Sequence, residues 1–324
     1  LTMLAKDQAY YLFKEVSKNL SIPNHRYLSW EYCYRFFMNQ RTLSSPNSPN
    51  FDLLSLHLAF YLASWGMYRG SSELLQKNYH VHLGAIKEIL WRKDYDSLWG
   101  KIWSDKESDE KDLNLLFDEN GLIDKLCQYY HNLGVSPTIT LISKIIMGTM
   151  GCLPAYDRFL ITGIRADGIS FSQKQNKGKN SSNGLIIENI KLWRKSFENL
   201  VESYGTTNNF ALPNYTSKTT SINYPQMKII DCIFWQFGFF IEEIKYWFKK
   251  HPNDSPLEII KSSPNGLPQG SIPKLNKTLL QKDKKTIIEY PFENEKVEVA
   301  NLVLEGWQIK DKKNITDYAE EFWK

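Results

Sequence analysis

Residues Gly134 to Gly163 read GVSPTITLISKIIMGTMGCLPAYDRFLITG and leave the chain few ways to fold. Gly134 and Pro137 are turn residues, so the stretch opens on a tight turn. From Thr138 to Met150 it is almost wholly apolar, which predicts a helix enclosed by the rest of the protein. Gly151 ends that helix, and Pro154 opens another with Asp157 in its first turn. A turn, an enclosed helix, a short break and an acid at a helix start then require amphipathic partners on several sides.

The flanking sequence supplies them. Leu4 to Leu20 has helical spacing, with Tyr10, Leu12, Phe13 and Val16 on its apolar side. Tyr27 to Asn39 is an aromatic-rich helix, and SSPNSPN, Ser44 to Asn50, is a loop. Asp52 to Trp65 is apolar nearly all round, which predicts burial on most sides. Leu83 to Trp91 reads as a helix, as does Asp109 to His131 with an interruption at Glu119-Asn120-Gly121. Asp167 to Gly184 and Gly205 to Asn223 are long polar loops on either side of a helix from Leu185 to Tyr204. Gln226 to Lys250 is the most aromatic helix. The fold class expected is mainly all-α: a helical domain over 1–252, then a proline- and glycine-bearing linker and a small extension over 253–324. Lys284 to Trp307 alternates as a strand pair would, predicting a β-hairpin, and a short helix is expected near Tyr318 to Trp323.

Composition narrows the function classes. The 324 residues carry a net charge of +4, which permits nucleic-acid binding without arguing for it. Cys33, Cys127, Cys152 and Cys232 are scattered, which suggests neither a zinc site nor a disulfide framework. His80 and His82 form an HxH pair with no third ligand nearby in sequence, so no metal and no cofactor are expected. The apolar segments near Phe51–Trp65 and Ile229–Phe248 are too short or too acidic for a membrane span, and the opening residues are not a signal peptide. A cytoplasmic protein is expected. Gly66-Met67-Tyr68-Arg69-Gly70-Ser71-Ser72 connects two helices, and its paired glycines let it present a ring and a guanidinium to a ligand.

The Gly134–Gly163 stretch resembles the core of the helix-hairpin-helix DNA glycosylases. In that superfamily the amides of a GVG-type turn face a DNA phosphate, and an Asp about twenty residues on, at a helix start, is the catalytic carboxylate. The resemblance implies double-stranded DNA as partner, Asp157 as catalyst, and backbone contacts at Gly134, Ser136 and Thr138. Ser136 stands where the family keeps a second glycine. No lysine follows the turn, since Lys144 falls inside the helix, so the resemblance implies a monofunctional enzyme without lyase activity; a monomer is expected. LASWGMYRGSS together with MGCLPAYDRF is similar to a bacterial antiphage group acting on glucosylated hydroxymethylcytosine. That likeness implies a base pocket in a cleft, with Tyr68, Arg69, Ser71 and Tyr156 as substrate contacts.

The residues themselves leave other readings open. Asp157 is also what any helix start favours, through the dipole and a pairing with Arg158 or Arg165. Lys174, Lys177 and Lys179, and the Lys191/Arg194/Lys195 face, can contact phosphates or simply be solvated. A non-catalytic nucleic-acid-binding module and a protein–protein scaffold are the alternatives.

Overall fold

The computed structural model describes residues 4–41, 49–70, 72–172, 182–250, 259–261 and 307–309. The protein is all-α, with ten α-helices among these residues: α1 (Lys6–Leu20), α2 (Leu28–Arg41), α3 (Phe51–Ser64), α4 (Leu83–Trp91), α5 (Glu110–Phe117), α6 (Leu122–Asn132), α7 (Ile139–Thr149), α8 (Arg158–Ala166), α9 (Ser182–Tyr204) and α10 (Gln226–Lys250). The chain divides into two compact units, Leu1–Gln236 and Phe237–Lys324. In the second, β1 (Ile259–Lys261) pairs antiparallel with β2 (Trp307–Ile309). The expected hairpin before Trp307 and the helix at Tyr318–Trp323 lie outside the described residues. No helix among the described residues is long and apolar enough to cross a membrane.

In the first unit α7 is the helix the others enclose. Its residues Leu141 to Thr149 are all buried, and α2, α3 and α6 pack on it. The indole of Trp30 on α2 donates to the Met147 carbonyl at 2.9 Å, and that of Trp103 to the Cys152 carbonyl at 2.8 Å. Gly148 lets α3 approach closely: a Cβ there would stand 2.5 Å from Tyr61 Cε1. The first turns of α10 belong to the same core, with Met227 to Gln236 buried without a break. All four cysteines are free and buried.

Several expectations meet different packing. On α1 the buried side is Ala9, Leu12, Phe13, Val16 and Leu20, while Tyr10 is exposed, because it falls off that 3.6-residue stripe. Helix α3 is not enclosed on most sides. Leu53, Leu56 and Phe60 form an outward row, with Phe60 62% exposed. Its contacts with α2, α4 and α7 use the other faces. The break at Glu119–Gly121 is real: Asn120 takes φ 64°, and Gly121 caps α6. The polar loop after α9 is fastened by a fully buried carboxylate. Glu31 on α2 accepts from Ser217 Oγ (2.6 Å), Thr220 Oγ1 (2.8 Å) and the Tyr224 hydroxyl.

Candidate active site around Asp157

The segment between α7 and α8 is irregular rather than helical from Gly151 to Tyr156, so Pro154 does not open the next helix. Gly151, at φ 68°, turns the chain out of α7, and its amide donates to the Ile146 carbonyl at 3.0 Å. Side chains then hold the backbone that follows. Asp231 Oδ1 on α10 accepts from the Ala155 amide at 2.9 Å. Ser143 Oγ on α7 accepts from the Tyr156 amide at 2.8 Å, and Thr140 Oγ1 donates to the Tyr156 carbonyl at 2.9 Å. These bonds satisfy backbone groups of the segment that have no helical partner, and α8 starts at Arg158.

Asp157 is the N-cap of α8. Its Oδ1 accepts from the amides of Phe159 (3.0 Å) and Leu160 (3.1 Å). Its Oδ2 lies 3.5 Å from Lys144 Nζ, and the Asp157 side chain is 15% exposed. The carboxylate is therefore fixed in direction, close to the surface, with one oxygen committed to the helix. Lys144 is almost fully buried and donates to the Trp65 carbonyl at 3.0 Å. Burial pulls its pKa below the ordinary lysine value, and the nearby Asp157 and Asp231 carboxylates offset only part of that. Lys228 behaves oppositely. Burial works against its charge, but Asp231, 2.8 Å away, together with Cys232 and Asp157, outweighs burial and holds its pKa above the usual value.

Aromatic rings and guanidinium groups gather beside this pair. Trp65 stacks on Tyr27 at 5.2 Å and meets Trp235 edge-on at 5.8 Å. The Arg26 guanidinium lies 5.1 Å from the centre of the Trp65 ring. Arg69 folds back over Gly66, where a Cβ would stand 2.9 Å from Arg69 Nε, so the missing side chain makes room for the guanidinium. Partial burial and the like charges of Arg158 and Arg26 lower the Arg69 pKa, so the three cations share one neighbourhood. A cavity of about 20 Å³ lies between Tyr27, Trp65, Lys228, Asp231 and Trp235. That is room for one water molecule and far too little for a nucleobase.

Tyr68 points elsewhere. Its hydroxyl is 2.7 Å from His82 Nε2, and His82 Nδ1 is 2.7 Å from the Tyr130 hydroxyl. Burial pushes His82 down to about 3, so the imidazole is neutral at ordinary pH. Two phenols and one neutral imidazole bring three protons to two hydrogen bonds, so one proton is surplus. Tyr130 is fully buried, and leaving its O–H unpaired would cost about 1–3 kcal/mol. Tyr130 therefore donates to Nδ1, Nε2–H donates to Tyr68, and the surplus proton sits on the half-buried Tyr68 hydroxyl. His80 turns away to Asp52, at 2.7 Å, and no cluster of potential metal ligands occurs among the described residues.

The remaining predicted contacts are dispersed. The Tyr156 ring is fully buried against Phe171 and Trp193, away from any open surface. Gly134 and Val135 follow the α6 C-cap Leu133 and close the helix end, donating their amides to the carbonyls of His131 (3.0 Å) and Tyr130 (3.0 Å). The Thr138 amide donates to the Ser136 carbonyl, and Thr138 Oγ1 caps α7 by accepting from Leu141 N at 3.1 Å. Ser136 Oγ donates to Glu73 Oε1 at 2.9 Å, and Glu73's own amide, with the Ser136 hydroxyl and amide, holds the Glu73 carboxyl below the usual range. The turn thus spends most of its donors within the chain. Arg194 is engaged by Glu110, Asp118 and Glu198, each at 2.7 Å, and so pins α9 to α5. Ser71, Lys174, Lys177 and Lys179 lie outside the described residues. Asp231, Lys228, Trp65 and Arg26 were not anticipated, although a Lys-x-x-Asp pair inside an aromatic helix is a sequence signal for a buried ion pair.

No family model, no curated protein and no solved structure matches the chain.

Proposed function

We propose that the chain is a monofunctional DNA glycosylase with Asp157 as its catalytic carboxylate. The observation that carries this reading is the build of Asp157 itself. It is a near-surface carboxylate fixed by two α8 amides, with its other oxygen 3.5 Å from the Nζ of the buried Lys144, on which Arg69 also acts electrostatically. Cleavage of an N-glycosidic bond builds positive charge on the deoxyribose, and a carboxylate held in one direction stabilises that charge without reorganising. The same oxygen can orient the attacking water. The guanidinium groups would meet the flanking phosphates. Lys144 is committed to the Trp65 carbonyl and almost wholly buried, which favours water over an amine as the nucleophile. The finer reading is a base bearing a sugar, as in glucosylated hydroxymethylcytosine of phage DNA.

A second reading, a nucleic-acid-binding module without chemistry, draws on two observations. The small cavity between Trp65 and Asp231 has room for one water and not for a base, and the Ser136 hydroxyl of the turn is already engaged by Glu73. One experiment separates the two. Normal, damaged and phage-modified duplexes are incubated with the protein, and abasic sites are then cleaved with mild alkali. The enzyme reading expects strand breaks on at least one duplex and a loss of about a hundredfold or more in Asp157→Asn, on the scale of removing a transition-state electrostatic partner. No breaks on any duplex, or full activity in Asp157→Asn, would leave the binding module.

A further inference from the structure

A second recess opens at the far end of α7, independent of the glycosylase reading. It has a volume of about 600 Å³, within the range of small-molecule sites. One wall is the loop after α9, from Gly205 to Asn214, and the other is formed by Gly100, Ile102 and Tyr34. None of its 18 lining residues is charged, in a chain where 23% of residues are. An anion or cation taken out of water here would meet no counter-charge, which excludes phosphates, carboxylates and amines as the favoured occupant.

What the walls do offer is neutral and bifunctional. Tyr34 is 4% exposed, and its hydroxyl bonds to no described residue. A Cβ on Gly100, which also lines the recess, would stand 3.3 Å from that hydroxyl, so the missing side chain leaves it open to the space. Asn209 and Asn214 are exposed and make no side-chain hydrogen bond to any described residue. Asn223 uses only its oxygen, accepting from Thr216 Oγ1 at 2.6 Å, and keeps its N–H donors. Ile102, 61% exposed, supplies an apolar rim. The frame is rigid. Gln226 clamps the Trp103 backbone from both ends of its carboxamide, at 2.7 and 3.0 Å, and Glu31 ties down the loop at Ser217, Thr220 and Tyr224. The carboxamides of Asn209 and Asn214 each pair a donor with an acceptor, which matches adjacent hydroxyls on a ring, while the C–H face of such a ring suits Ile102.

We propose that this recess is a binding site for a neutral saccharide of one or two rings. Saturation-transfer NMR on the full chain with glucose, galactose, N-acetylglucosamine and maltose, and with glucose 6-phosphate as the charged comparator, tests it. At least one neutral sugar should give signals, weakened about fivefold in affinity by Tyr34→Phe and likewise by the surface change Asn214→Leu. Asp157→Asn should bind that sugar as the parent does. Silence from all four neutral sugars overturns the proposal. So do signals unchanged in both Tyr34→Phe and Asn214→Leu, or glucose 6-phosphate binding as well as glucose.

Discussion

His82 is wedged between two phenols with no exposure to solvent, and that position couples its titration to folding. In the folded chain it stays neutral down to about pH 3, whereas unfolding releases it to an ordinary histidine pKa near 6.5. Between those values the unfolded chain binds more protons, so stability is complete above pH 6.5 and falls as pH falls below it. From pH 7 to pH 5 the loss from this one residue is about 2 kcal/mol. Urea unfolding at the two pH values measures it, and His82→Gln should flatten the difference. The same proton count leaves Tyr68 with a hydrogen to donate outward. Sequence alone offered Tyr68 as a presented ring, and it could not show that a histidine 14 residues on holds it from behind. Asp157 at a helix start was legible, because capping chemistry is local. The anchor on Ala155 was not, because Asp231 is 76 residues away and no spacing rule connects them.

Among the elements, α7 shows how a glycine sets an inter-helix distance. Gly148 lies where the Tyr61 ring of α3 crosses, and both groups are buried. Gly148→Ala would ordinarily gain helix propensity. Here the added methyl meets a ring enclosed in the core, so a net loss of about 1–3 kcal/mol is expected, read as a lower midpoint in thermal or urea unfolding. Periodicity revealed the helices themselves and the break between α5 and α6, where Asn120 and Gly121 carry the turn. It misjudged α3, since an apolar residue at every position says what a helix tolerates and not which sides its neighbours cover. The outward row Leu53, Leu56 and Phe60 follows from α2, α4 and α7 covering only the other faces.

At the scale of the whole molecule, the all-α class follows from local pattern, while the closure of the first unit depends on distant polar pairs. Glu31 meets partners nearly 190 residues downstream, and Asp167 joins the Leu4 amide to the Tyr204 hydroxyl, at 2.7 Å each. Such pairs are invisible to a sequence window, because each partner taken alone reads as an ordinary polar residue in or beside a helix or loop. The four cysteines share that enclosure. Burial raises the thiol pKa of Cys127 and Cys232 to about 12, and those of Cys33 and Cys152 higher still. Reactive thiolate is therefore scarce in the folded chain at neutral pH. Ellman's reagent should find almost no thiol in the native protein and all four in denaturant, with a rate that follows opening of the core. A cysteine engineered onto the surface, as in Trp91→Cys, would then be the single address at which a dye or spin label attaches, with the native thiols left in place.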